Sequence, residues 1–219
     1  MRWQHPARGL VPPDKFIPLA EETGSIMPIG AWVLDEASRQ MKTWLDAGLV
    51  GADASMCVNV SGRQFDDALL AEKVMTVLDA NALPYGSLEL EITESTVANS
   101  LQRTVAVVTE LRSLGISVSI DDFGTGYSSL NHLKTIPFTK LKIDQSFVRD
   151  IPHDSDDMAI SSAVIALGRK LSLEVLAEGV ETEEQCAFLY EEGCHSAQGY
   201  YFSRPLDAEA ATHWLAARR

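Results

Sequence analysis

Two adjacent aspartates, Asp121 and Asp122, end an alternating run and lead into a glycine-containing loop in the stretch SVSIDDFGTGYSSL, Ser117 to Leu130. Neighbouring carboxylates repel one another unless a cation lies between them. Such a pair can bridge and flank two divalent ions roughly 4 Å apart, which together activate water and stabilise an in-line displacement at phosphorus. Asn59, Glu91, Lys142 and Glu178 stand near the C-terminal ends of four other strand-like segments and complete the polar set. Carboxylates and an amide oxygen, with no histidine or thiolate among them, suit Mg2+ or Mn2+ better than Zn2+. Lys142 reads either as a salt-bridge partner for surplus negative charge or as the cation that holds an attacking water or a phosphate oxygen.

The elements that must position these residues follow from the period-2 pattern of strands. Met56, Val58 and Val60 share one phase, as do Leu88, Leu90 and Ile92, then Ile116, Val118 and Ile120, then Leu141 and Ile143. The polar residues take the opposite phase. An exposed face of an antiparallel sheet would also alternate, but helical patterns separate the strands, which points to a parallel sheet covered on its outer side. Inward carboxylates then cost several kcal/mol each unless paired or bound to a cation. Strands are expected near Met56–Ser61, Leu88–Ile92, Ile116–Asp121, Lys140–Asp144, Glu174–Glu178 and Ser196–Tyr200. The helices between them are expected near Asp66–Ala80, Leu101–Leu114, Ser129–Lys134, Asp156–Leu171, Thr182–Glu192 and Asp207–Ala217. Gly115 and Gly193 mark helix ends, and Thr182 marks a helix start. Upstream, helices are expected over about Asp14–Glu22 and Gly30–Ala47, after a loop-like RWQHPARGLVPPD with no strand in front of it. Six strands are too few to close a (β/α)8 barrel, so either the sheet is open or two strands are absent.

Around the candidate site, the two glycines after Asp122 suggest a flap that Glu94 could anchor from the neighbouring strand end. In EGVE, Glu181 reads equally as a site residue or as a helix-start acid. At 219 residues with 46% hydrophobic content the chain can bury one core, and it is read as a single domain, 1–219. A net charge of -13 opposes binding to genomic nucleic acid. Without a membrane span or signal-peptide pattern, a cytoplasmic location and no membrane insertion are expected. Cys57, Cys186 and Cys194 form no C-x-x-C pair, which argues for reduced thiols rather than a metal–thiolate centre.

The motifs RWQHPARGLVPPDKFIPLAEETG, NVSGRQF, LELEITES, DDFGTGYSSL, LKIDQSFV, AEGVET and AQGYYFSRPL, in that order, resemble the EAL family of cyclic-di-GMP phosphodiesterases across nearly the whole chain. The resemblance implies an α/β fold, a TIM-like (β/α)8 barrel, with two Mg2+ or Mn2+ ions and hydrolysis of cyclic di-GMP to linear pGpG in bacterial signalling. By that resemblance Asn59, Glu91 and Asp121 hold one ion, while Asp121 bridges to a second held also by Asp122 and Glu178. Lys142 then contacts the attacking water, and Glu178 is the candidate general base. Glu94 supports the flap, Glu181 and Gln198 belong to the site, and Arg2 reaches a ligand phosphate.

The chain departs from the family at its start, where Met1-Arg2-Trp3 lacks the preceding Glu-Ala-Leu run and its metal-binding glutamate. The expectation is therefore a barrel incomplete at its N-terminus, with six strands from this chain. Weak metal binding, a homodimer, or an incomplete domain within a longer chain carrying upstream sensory or regulatory domains would each follow from that. The alternative function is a non-catalytic receptor for cyclic di-GMP. A Schiff-base aldolase using Lys142 is disfavoured, because an amine crowded by carboxylates stays protonated.

Overall fold

The computed structural model describes residues 1–126 and 130–218. It opens with a two-stranded antiparallel ribbon, β1 (Trp3–His5) and β2 (Gly9–Val11), followed by α1 (Pro13–Thr23) and α2 (Ile26–Asp46). The sheet strands and helices then alternate: β3 (Met56–Asn59), α3 (Gly62–Phe65), α4 (Leu70–Ala80), β4 (Leu88–Thr93), α5 (Glu94–Asn99), α6 (Leu101–Ser113), β5 (Ser117–Phe123) and α7 (Leu130–Thr135). They continue through β6 (Lys140–Ile143), α8 (Ser155–Lys170), β7 (Glu174–Ala177), α9 (Glu183–Glu191), β8 (Ser196–Ala197) and α10 (Ala208–Ala216).

Strands β3 to β8 pair in chain order, all parallel, in a six-stranded sheet curled as part of a (β/α)8 barrel. The apolar phase predicted from alternation is the buried phase: Val58, Leu88, Leu90, Ile92, Val118, Ile120, Leu141 and Ile143 belong to one core with Val74, Leu78, Val108, Leu111 and Leu189 of the covering helices. Each such side chain contributes roughly 1.5–3 kcal/mol on burial. The opposite phase turns its polar side chains inward. Gly115 and Gly193 end α6 and α9 with φ of +90° and +94°, as their positions predicted.

Differences from the sequence reading are local. The expected N-terminal loop is the β1/β2 ribbon, because Gly9 at φ +68° turns the chain back so that Trp3 pairs with Val11. The expected Asp66–Ala80 helix begins only at Leu70, as α4, and a separate short helix, α3, with a capping box closed by Ser61, precedes it. The long helix α2 begins at Ile26 rather than Gly30, and β8 stops at Ala197. Tyr127, Ser128 and Ser129, part of the expected flap and the first residue of the expected Ser129–Lys134 helix, lie outside the described residues. Among the described residues no helix is long and apolar enough to cross a membrane.

Candidate active site

Lys142 is the hub of the inner face. Its side chain leaves β6 inward, and the residue is only 3% exposed. The ammonium Nζ lies 3.0 Å from Glu91 Oε2 of β4, 2.9 Å from Asp121 Oδ1 of β5 and 2.7 Å from Glu178 Oε1, just past β7. Three carboxylates from the ends of β4, β5 and β7 thus meet one ammonium carried by β6. Asn59, at the end of β3, donates to Glu91 Oε2 at 3.1 Å, and Gln198, just past β8, donates to Glu178 Oε1 at 2.5 Å. The arc runs across the sheet from its first strand to its last.

Strict alternation would send Asp121 and Asp122 to opposite faces of β5. A β-bulge prevents this. Ile120 pairs with Leu141 and Phe123 with Ile143, so two residues, Asp121 and Asp122, face the single Lys142 between them. Asp122 takes up the extra residue in the left-handed region at φ +54°. Oxygens of Asp121, Asp122 and Glu178 consequently lie within 4.8 Å of one another. This all-oxygen cluster could hold a hard divalent ion.

The electrostatics show one ammonium shared among too many carboxylates. Burial alone would pull the Lys142 pKa down, but Glu91, Glu178 and Asp121 together hold it above the ordinary lysine value, so it stays charged. Burial raises the Glu178 carboxyl to about 7; Lys142 opposes that rise, while Asp121 and Glu91 add to it. Asp122 is likewise raised, by burial and by the charges of Asp121 and Asp144. The surplus negative charge is what a bound cation would neutralise.

Glu94, the first residue of α5, sends Oε2 across to the loop after β5, where it accepts the backbone N–H groups of Gly124 at 3.0 Å and Gly126 at 3.2 Å. Glu181 is exposed and its backbone N–H donates to Gln185 Oε1 at 2.7 Å. Together with Asp144 and Arg149 it lines a separate polar cavity of about 330 Å3, and no ion pair joins it to Lys142 among the described residues. Arg2 is exposed before β1 and donates to the Met1 carbonyl at 2.9 Å; no described contact brings it to the carboxylates.

Sequence reasoning passed over Asp144, whose charge bears on Asp122 and whose Oδ1 accepts from Ser146 N–H at 2.9 Å. Its position two residues after Lys142 was the available signal. A second ionic layer beneath the first was missed as well. Lys140 reaches over the small Ser119 of β5 to Glu89 Oε2 of β4 at 2.7 Å and lies 3.6 Å from Glu174 Oε2, which also accepts through Oε1 from Ser196 Oγ at 2.7 Å. Lys140 and Glu89 share the phase of Lys142 and Glu91, so alternation already placed them on the inner face.

Residues 1–205 match the family model described as the EAL domain. The chain belongs to the EAL domain family. Among curated EAL relatives, the bifunctional diguanylate cyclase/cyclic di-GMP phosphodiesterase MucR of Pseudomonas aeruginosa is 50% identical over 209 residues, covering 95% of this chain and 30% of that protein. The cyclic di-GMP phosphodiesterase NbdA of the same organism is 44% identical over 219 residues, 100% of this chain and 28% of NbdA. This EAL chain therefore spans less than a third of the length of these two relatives. The solved PaMucR phosphodiesterase in its c-di-GMP complex superposes with a TM-score of 0.92 at 50% identity, covering 96% of this chain and 84% of that one. The EAL enzyme Bd1971, solved with cAMP and cyclic-di-GMP bound, gives a TM-score of 0.92 at 34% identity, covering 98% and 58% respectively.

Proposed function

We propose that this EAL domain hydrolyses cyclic di-GMP to linear pGpG in a reaction that depends on Mg2+ or Mn2+. The observation that carries the reading is the convergence of Asp121, Asp122 and Glu178 oxygens within 4.8 Å, beside a buried lysine and Glu91. The donor set fits the ions: every group is a hard oxygen ligand. Asn59, Glu91 and Asp121 would hold one ion, and Asp121, Asp122 and Glu178 the other. When bound, two such ions supply an acidified water and stabilise charge in an in-line displacement at phosphorus.

The chain's own groups account for the rest. Lys142 stays protonated and orients an oxygen of the attacking water or of the scissile phosphate. Glu178 would accept the proton of that water, a role supported by the Gln198 amide hydrogen bond to its carboxylate. One bond to phosphorus forms as the bond to a bridging ribose oxygen breaks, which opens the ring. Glu94 orders the loop after the aspartates, Arg2 would meet a ligand phosphate, and Glu181 would extend the site towards the Asp144 cavity.

The test is chromatographic detection of pGpG from cyclic di-GMP with each metal in turn. Turnover that needs Mg2+ or Mn2+ and disappears in Glu178→Ala and Asp121→Ala is the expected result. A second reading, a receptor that binds cyclic di-GMP without cleaving it, is favoured by one observation: the Lys142 ammonium lies within 3.0 Å of Glu91, Asp121 and Glu178 and can itself offset the charge of three candidate ligands. Calorimetric binding in chelator, coupled with no pGpG under either metal, would replace the enzyme reading with the receptor.

A further inference from the structure

Below the Lys142 layer, the inner face carries two donors, Cys57 and Glu89, that the proposed hydrolysis does not use, and they lie beside Glu91, which it does. Cys57 of β3 lies opposite Glu89 of β4 in the register, and Glu91 is the next inward residue on β4. One donor atom from each of the three lies within 4.8 Å of the others. Glu89 is 3% exposed; Lys140 takes its Oε2, while Oε1 is buried and has no hydrogen-bond partner among the described residues. Ser119 stands beside Glu91 and Lys140 in the register, is fully buried, and its Oγ also has no partner among the described residues. Two orphaned buried oxygens on one face, next to a thiol, describe a site made for an occupant, because unsatisfied buried polar atoms are rare and cost about 1–3 kcal/mol each.

We propose that Cys57, Glu89 and Glu91 form a binding site for a thiophilic divalent cation of the Zn2+ class, which differs from the oxygen-only cluster above it in its thiol and shares Glu91 with the ligands proposed for hydrolysis. The thiolate selects a softer ion than Mg2+. Binding releases the thiol proton to solvent and forms one sulfur–metal and two oxygen–metal bonds. Glu89 would ligate through Oε1 while Lys140 holds Oε2, the arrangement in which a hydrogen-bonded carboxylate is oriented for its metal. Ser119 Oγ or water completes a four-coordinate shell. The absence of C-x-x-C spacing does not oppose this site, because its ligands come from two adjacent strands and only one is a thiolate.

Cd2+ is the probe, since its bond to a thiolate gives an ultraviolet charge-transfer band that does not depend on turnover. Titration of the full chain is expected to produce the band, with Cys57→Ser removing it and Glu89→Gln weakening binding by at least the roughly 10–100-fold that loss of a supporting partner costs. In the unsubstituted protein, Zn2+ should protect Cys57 from alkylation, read by peptide mass mapping, while leaving Cys186 and Cys194 as reactive as before. No band in the unsubstituted chain, a band that survives Cys57→Ser, undiminished affinity in Glu89→Gln, or no protection of Cys57 would each overturn the proposal.

Discussion

Replacing Lys142 with methionine separates what the ammonium does for folding from what a cation does for the site. Methionine keeps much of the volume but leaves Glu91, Asp121 and Glu178, now 2.7 to 3.0 Å from the ammonium, without their shared counter-charge. Removing one partner from a buried ionic group costs about 3–5 kcal/mol, because the remaining charges stay desolvated. For a chain of this size each kcal/mol moves the melting temperature by roughly 2–4 °C, so Lys142→Met in chelator should melt about 6–20 °C below the parent. A divalent ion that binds only the folded state returns about 2.7 kcal/mol at a hundredfold excess over its dissociation constant. That return should be larger in the variant, where the ion has no ammonium to displace. The assay is a melt of both proteins with and without Mn2+, together with calorimetric Mn2+ titration. Equal melting in chelator would refute the idea that Lys142 neutralises the cluster. Equal metal stabilisation in both proteins would refute the claim that ammonium and cation compete for the same oxygens.

Asp122 combines a ligand role with a left-handed backbone at φ +54°; Asp122→Gly should therefore be about 1 kcal/mol more stable than Asp122→Ala in urea unfolding, while both lose pGpG release. Glu94→Ala removes the acceptor for the Gly124 and Gly126 N–H groups, a loss of about 1–3 kcal/mol that should speed amide exchange at those two residues roughly 10–100-fold, with Glu94→Gln in between. A Cβ on Gly199 would sit 2.1 Å from the Val180 carbonyl oxygen. Gly199→Ala is thus expected to lower unfolding free energy by about 2 kcal/mol or more and to lower turnover through the adjoining Gln198–Glu178 contact.

The β/α rhythm, the buried phase of each strand and the polar residues at the strand ends were all legible in the sequence. They are local properties: the period of a strand and the conformational cost of left-handed backbone act residue by residue. Asn59, Glu91, Asp121, Lys142 and Glu178 were readable for that reason, and so was the helix-ending role of Gly115 and Gly193. Tertiary structure alone decided how adjacent aspartates come to face one lysine, because a bulge is defined only against the partner strand. The same holds for Lys140 reaching Glu89 over Ser119, for Cys57 standing opposite Glu89, and for the pairing of Trp3 with Val11. Each depends on the register between segments far apart in the chain or on the return of a turn, and alternation within one segment carries no information about either.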